Sequence, residues 1–413
     1  MESEVQEALD ILFLGKLFPK DIESDIKSKM KSGMQDAANA LQWNIIDGLD
    51  ANECGTIKIL DVLPVDSYPK RYTETYIHKH IFQHTKKYKS NDTVVGMTNI
   101  TILKQFLTYT PIKKEVIKWL KTDSRKKKVI ILYTASEAFL RIAKYVKAHY
   151  KAVQTCCIIA DLPEYSSTRD LKGIRRIYND FQTWKCKNLY RFVDKFVLLT
   201  EAMAAKLEIE SPYIVMEGIA SSNDNVCIDE APLNIYDNTK YILYSGTLNY
   251  EFGIGILLKA FSLLKDKDVY LLICGVGEAE DAIRRCQDNR IIYLGKIDRR
   301  QVMLLQKNAI VLVNPRQNNH EFTKYSFPSK TMEYLASGTP VVAYKLDGIP
   351  DEYDQFINYV PDNSIESLAR ILTEICEKPE SWRKEMGTRA REFVLQNKNS
   401  IVQTKKILAL IRK

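Results

Sequence analysis

The sequence has no run near the roughly 20 unbroken apolar residues needed to span a bilayer. It also lacks a secretory opening. Met1-Glu2-Ser3-Glu4 is acidic, and the apolar stretch after it, Ile11 to Leu14, is short and has no small-residue cleavage site. A cytoplasmic protein is therefore expected. The eight cysteines, Cys54, Cys156, Cys157, Cys186, Cys227, Cys274, Cys286 and Cys376, form no CxxC pair and have no matching histidine set. That pattern speaks for buried reduced thiols and against zinc. His78, His80 and His84 lie close in sequence without a matched carboxylate, so no metal site is expected. Internal repeats and low-complexity segments are missing too. So is a basic stripe interleaved with aromatics, which removes nucleic acid as an expected partner.

What remains is the composition of a folded protein, with 45% hydrophobic and 27% charged residues. At 413 residues two domains are the default. The net charge of +8 is spread along the chain, and its densest run is Ser124 to Lys128. That run reads either as a solvated loop before a strand or as an attraction for anionic lipid headgroups or a phosphorylated substrate. The second choice would put the protein in peripheral contact with an anionic membrane, at its inner face.

Apolar strand-like runs alternate with helical ones throughout. In the first half the strands are Ile11–Leu14, Ile57–Val62, Val129–Tyr133, Thr155–Ile159 and Lys195–Leu199. In the second they are Tyr241–Tyr244, Val269–Cys274, Ile291–Leu294, Ile310–Val313 and Pro340–Tyr344. Continuous apolar strands between helices indicate parallel sheets covered on both faces. The expected fold is α/β, with two Rossmann-like doubly wound domains. One runs over 1–210 and the other over 240–380, joined by a polar linker at 211–239 that holds Pro212, Pro232 and Ser-Ser-Asn-Asp-Asn. A helical tail, 381–413, is expected to pack back on the N-terminal domain.

The segment Asn314 to Pro340 carries the chemistry. Pro328 stands at the start of a helical stretch, Gly338 just past its end and Pro340 soon after, which follows the natural asymmetry of helix ends. The helix is expected to begin near Phe327 or Pro328, with Ser326 as its cap. A helix start after a strand and loop gathers unpaired amides and the positive end of the dipole, so it suits phosphate. Lys330 and Glu333 share a face. The lysine suits a diphosphate and the carboxylate suits ribose hydroxyls. The same residues also fit an ordinary capped helix with a surface ion pair.

The run Phe327-Pro-Ser-Lys-Thr-Met-Glu-Tyr-Leu-Ala-Ser-Gly-Thr-Pro-Val-Val342 resembles the donor-binding helix of family-four glycosyltransferases, retaining enzymes of the GT-B fold. The likeness continues at Tyr244-Ser-Gly-Thr-Leu248, Gly253, Leu272 to Gly277, Tyr293 to Gly295 and Gly387-Thr-Arg-Ala-Arg391. It leans towards bacterial surface-polysaccharide transferases. In the N-terminal half it is confined mainly to Gly15 and Asp161-Leu-Pro163.

The resemblance implies a GT-B architecture in which two Rossmann-like domains face a cleft. It further implies retaining, metal-independent sugar transfer, with a nucleotide-diphosphate sugar as co-substrate and no cofactor. The acceptor would be a glycan or a lipid-linked glycan. The implied donor site comprises Gly15, Gly246, Thr247, Lys296, Ile297, Arg316, Tyr325, Ser326, Phe327, Pro328, Ser329, Lys330 and Glu333, with Lys330, Arg316 and Asp161 nearest the chemistry.

Three positions depart from the family pattern. Tyr325 replaces its first glutamate, and Thr247 and Phe252 replace an arginine and a lysine that grip the diphosphate. Arg316 and Lys330 are the expected substitutes. Asp161 lies at a strand end, where it suits either a proton acceptor or a turn former. The aromatic-rich segment Tyr68 to Tyr88 suits an acceptor loop. Two alternatives stand beside the transferase: a nucleotide-sugar epimerase on the same fold, and a non-catalytic GT-B partner subunit.

Overall fold

A computed structural model describes residues 8–31, 36–162, 174–221 and 239–413, leaving aside the side chains of 102 and 174–178. Cys227, Pro232, most of the Ser-Ser-Asn-Asp-Asn run, Pro163 and Met1 to Glu4 lie outside the described residues. The chain divides into two compact units. The first holds the described residues up to Glu217 together with Ser400–Lys413, and the second is Gly218–Asn399.

In the first unit the strands are β1 (Leu9–Gly15), β2 (Gly55–Asp61), β3 (Tyr76–Ile77), β4 (His80–Phe82), β5 (Asp92–Val94), β6 (Met97–Thr98), β7 (Lys127–Tyr133), β8 (Gln154–Ile159), β9 (Lys195–Leu198) and β10 (Tyr213–Val215). Eight of them form one sheet in the order β10-β9-β8-β7-β1-β2-β5-β4, parallel except where β4 meets β5. The strand order reverses between β1 and β7. Helices α1 (Glu23–Lys29), α2 (Asp36–Ala51), α3 (Thr101–Leu107), α4 (Tyr109–Leu120), α5 (Glu137–His149), α6 (Ile174–Tyr190) and α7 (Ala202–Leu207) belong to the same unit.

The second unit is a wholly parallel sheet of β11 (Lys240–Ser245), β12 (Val269–Cys274), β13 (Ile291–Gly295), β14 (Val311–Asn314), β15 (Val341–Tyr344) and β16 (Ile357–Val360), in the order β13-β12-β11-β14-β15-β16. Its helices are α8 (Ile254–Ser262), α9 (Glu280–Arg284), α10 (Arg299–Asn308), α11 (Ser329–Ser337), α12 (Ile365–Glu377) and α13 (Glu380–Asn397). Successive strand residues point to opposite faces. Ile242 and Tyr244 enter a core with Phe261 of α8 and Leu372 of α12. Tyr241 and Leu243 enter another with Leu335 of α11 and Val394 of α13. Both faces being covered is why these strands read as unbroken apolar runs.

The helical tail from 381 comprises two helices. α13 stays in the second unit, while α14 (Ser400–Arg412) closes the first. Asn52, just past α2, donates to Ile401 O and Thr404 Oγ1, both at 2.9 Å. Lys195 donates to Leu410 O at 2.6 Å, satisfying a carbonyl at the helix end.

Several other expectations shift. Part of the basic run is used inside the fold, since Lys128 donates to Trp119 O and Leu120 O at the end of α4 and to Thr122 O just past it. Cys54, Cys156, Cys157, Cys186 and Cys274 are buried free thiols, but Cys286 and Cys376 are only half-buried. The segment Tyr68 to Tyr88 contains β3 and β4, and the stretch expected as linker begins with β10, which pairs with β9. Among the described residues no helix is long and apolar enough to cross a membrane.

Candidate functional site

Open parallel sheets bind ligands beyond the strand C-termini where the strand order reverses. In the second unit that point lies between β11 and β14. Gly246 follows β11 and Arg316 follows β14. Gly246 has φ 141°, a conformation costly for any residue with a Cβ. A Cβ there would fall on the Lys330 ammonium. The glycine therefore gives the first turn of α11 room to lie against the end of β11.

The helix itself is held from its far end. Gly338 ends it in the left-handed conformation, at φ 82°. Arg391 Nη1 donates to Ala336 O at 2.5 Å, one of the carbonyls left over at the helix end. A Cβ at Gly387 would fall on Gly338 O. The Gly387 to Arg391 signature thus clamps the end of α11.

At the start, Pro328 is the N-cap residue, no side chain caps the helix, and Thr331 N donates to Pro328 O at 2.8 Å. Ser326 is therefore not the expected cap. It is extended, its hydroxyl donates to Phe322 O at 3.3 Å, and its oxygen accepts from Arg316 Nη2 at 3.2 Å. The serine orients the arginine instead, and the helix starts only at Ser329, with Pro328 as its N-cap.

Two cations stand here with little compensation. The Lys330 ammonium lies 4.0 Å from the Tyr244 ring centroid. Burial lowers its pKa to about 7, against the opposing charge of Glu333. The Arg316 guanidinium lies 4.4 Å from the Phe322 centroid and 5.5 Å from that of Phe252. Burial lowers its pKa to about 10, and its Nε is buried with no hydrogen-bond partner. Glu251 is the first opposing charge on Arg316, and its own Oε1 is buried without a partner. Buried cations that are not fully paired favour an incoming anion. The aromatic ring at 252 thus supports a guanidinium supplied from the next strand over.

Glu333 follows Lys330 on the same face. Its Oε1 accepts from Gln306 Nε2 at 2.5 Å, and its Oε2 lies 3.9 Å from Arg299 Nη2. Gln306 is fully buried and also donates to Ser245 Oγ at 3.1 Å. It ties the carboxylate to the end of β11, and the sequence did not single it out. Its signal was a lone amide beside the apolar residues Leu304 and Leu305 of α10.

The other expected donor residues divide. Thr247 is exposed, and its carbonyl accepts from Tyr244 OH at 2.7 Å. Tyr325 OH donates to Glu321 Oε1 at 3.1 Å. Ser329 is exposed at the first position of α11. Phe327 and Pro328 are buried, and Phe327 packs 5.3 Å from the Tyr353 ring. They fix the entry to the helix from within the core. Lys296, exposed, and Ile297, half-buried, follow β13, two strands from Gly246.

Gly15 and Asp161 belong to the first unit. Gly15 ends β1 at that sheet's own reversal point. Asp161 is exposed after β8, where its charge adds to the effect of burial in raising the Tyr133 pKa. The three histidines part company. His78 packs on Tyr76, His80 pairs with Asp21 at 2.7 Å, and His84 is buried between Asp92 at 2.7 Å and Asp50 at 3.4 Å.

With the site in view, comparison with known proteins gives a direct result. Residues 228–393 match the family described as Glycosyl transferases group 1. The chain thus carries a group 1 glycosyl transferase domain, and it includes Gly246, Arg316, Lys330 and Glu333. An uncharacterized glycosyltransferase of Methanocaldococcus jannaschii is 26% identical over 154 residues, which is 34% of this chain and 38% of that relative's length. Sucrose-phosphate synthase from Thermosynechococcus elongatus superposes with a TM-score of 0.63 at 16% identity, covering 98% of both chains. An alpha,alpha-trehalose-phosphate synthase (UDP-forming) from Burkholderia xenovorans, in complex with glucose-6-phosphate, gives 0.63 at 12% identity, covering 98% of this chain and 100% of that one. At such identities the likeness carries the fold, which is α/β of the GT-B kind.

Proposed function

We propose that this chain is a retaining glycosyltransferase that moves a sugar from a nucleotide-diphosphate sugar to a glycan or lipid-linked glycan. It works without a cofactor, in the cytoplasm or at the inner face of an anionic membrane, in surface-polysaccharide synthesis. One observation carries the donor assignment: the Lys330 ammonium, short of compensating charge, is seated against Gly246 at the start of α11.

Loss of the sugar leaves negative charge on the nucleoside diphosphate. The Lys330 ammonium, the Arg316 guanidinium and the first amides of α11 neutralise that charge as it develops. These two cations supply the charge that a metal ion would otherwise bring. Glu333, steadied by Gln306, accepts hydrogen bonds from the ribose. Asp161 serves the acceptor hydroxyl. The surface-polysaccharide role rests on the likeness of the α11 motif to such transferases. The UDP-forming relative in the comparison makes UDP the first nucleotide to test.

The alternative of an inert partner subunit rested on Thr247, Phe252 and Tyr325. Arg316 stacked over Phe252 answers the loss of a cation at that place. Lys330→Ala and Glu333→Ala, checked for folding by circular dichroism, are expected to abolish turnover of nucleotide sugar. Full turnover in both variants would remove the site from the proposal.

A further inference from the structure

We propose that Lys16 and Lys104, in the first unit, form a subsite for a phosphate group carried by the acceptor. The inference rests on the glycosyltransferase assignment and names the chemistry of the second substrate. The loop after β1 is fastened before any ligand arrives. Gln42 of α2 grips Lys16 on both sides, with Lys16 N donating to Oε1 at 2.7 Å and Nε2 donating to Lys16 O at 2.6 Å. Leu17 N donates to Asp61 Oδ1 at 2.8 Å, Phe18 N to Asn39 Oδ1 at 2.9 Å, and Trp43 Nε1 to Phe18 O at 3.2 Å.

This clamped loop presents Lys16 at the point where the sheet order reverses. Its ammonium has a ring for company, Phe139 at 5.7 Å, and no hydrogen-bond acceptor among the described residues. Asp61 is the carboxyl in reach of its charge, yet it is wholly buried, its Oδ2 has no partner, and burial drives its pKa well up. Burial favours the neutral form of that carboxyl and so weakens its hold on the ammonium.

Lys104 of α3 is the second cation. It donates to Val65 O and to Asn99 Oδ1 at 2.9 Å, which uses two of its three N–H groups. Its pKa is lowered to about 8, first by burial and next by the charge of Lys16. Asp66 opposes the charge of Lys104, but the Lys16 ammonium has no hydrogen-bonded carboxylate among the described residues, and an anion shared by the two lysines would relieve their repulsion. A phosphate with several acceptor oxygens satisfies both.

The test titrates inorganic phosphate into the full chain, with UDP present and the ionic strength held with chloride, and reads the thermal midpoint. A saturable rise is expected. It should weaken on the order of tenfold or more in Lys16→Gln and Lys104→Gln, with Lys16→Met as a second neutral variant should the first fail to fold. The UDP response itself should persist in these variants. A phosphate response lost in Lys16→Gln but kept in Lys330→Gln supports the subsite even if UDP does not bind, because the two lysines lie in separate units. No phosphate response, or one unchanged in all three first-unit variants, overturns the inference. A UDP response lost with Lys16 also overturns it, by giving that lysine to the donor. A hexose 6-phosphate and vesicles bearing a lipid phosphate monoester then separate a soluble acceptor from a lipid-borne one.

Discussion

Lys330 should make donor binding consume protons. In the free protein burial outweighs Glu333 and holds its pKa at about 7. A diphosphate at the start of α11 brings the missing negative charge and raises that pKa in the complex. Affinity is therefore full where the free lysine is already charged, below about pH 7, and falls as pH rises through that value. At pH 8 about one tenth of the free protein carries the ammonium. Binding there takes up roughly 0.9 proton, with affinity about tenfold below its acid limit. At pH 6 the uptake drops to about 0.1 proton. A UDP-sugar is the right ligand, since its diphosphate diester does not titrate in this range. Calorimetry in buffers of different ionisation enthalpy gives the proton count as the slope of observed against buffer enthalpy. Lys330→Met should bind weakly and with no uptake. Zero uptake at pH 8 in the native chain, or the same uptake in Lys330→Met, would refute this account of the lysine.

Three further outcomes are expected. Gly246→Ala places a methyl on the Lys330 ammonium at φ 141°; it should cost about 1–3 kcal/mol in a urea melt and remove UDP binding. Gly387→Ala sets a Cβ against the backbone carbonyl of Gly338; it should cost about 1–3 kcal/mol, seen as a lower urea midpoint. His84→Ala breaks the buried pairing with Asp92 and Asp50 and should cost about 3 kcal/mol near neutral pH. The His84 pKa is raised from 6.5 to about 9 by those carboxylates despite burial. Its contribution is thus fully present below pH 6.5 and lost as pH rises through about 9, so the gap between native and variant melts should narrow there.

The second unit's sheet was readable because both faces of its strands are covered, leaving Tyr241 to Tyr244 apolar without a break. The extent of α11 was equally readable from Pro328 and Gly338. The error at Ser326 arose because a serine just ahead of an apolar-periodic run matches the capping pattern, while the true N-cap, Pro328, lies two residues further on. β3 to β6 escaped notice because they are two or three residues long and mix polar with apolar positions. The division of the tail between units depends on what α14 packs against, namely α2 of the first unit, some 350 residues earlier in the chain. Gln306 was invisible as a functional residue for a related reason, and Lys16 was legible only as part of the loop after the first strand. Each gains its meaning from partners far away in sequence, Ser245 and Glu333 for one, Gln42 and Asp61 for the other.

Hydrogen–deuterium exchange of the full chain with and without UDP tests the donor site most directly. The account predicts slowed exchange at the amides of 246–248 and 326–331, beside Arg316 and Lys330. Protection that leaves 326–331 untouched while UDP is demonstrably bound would contradict it.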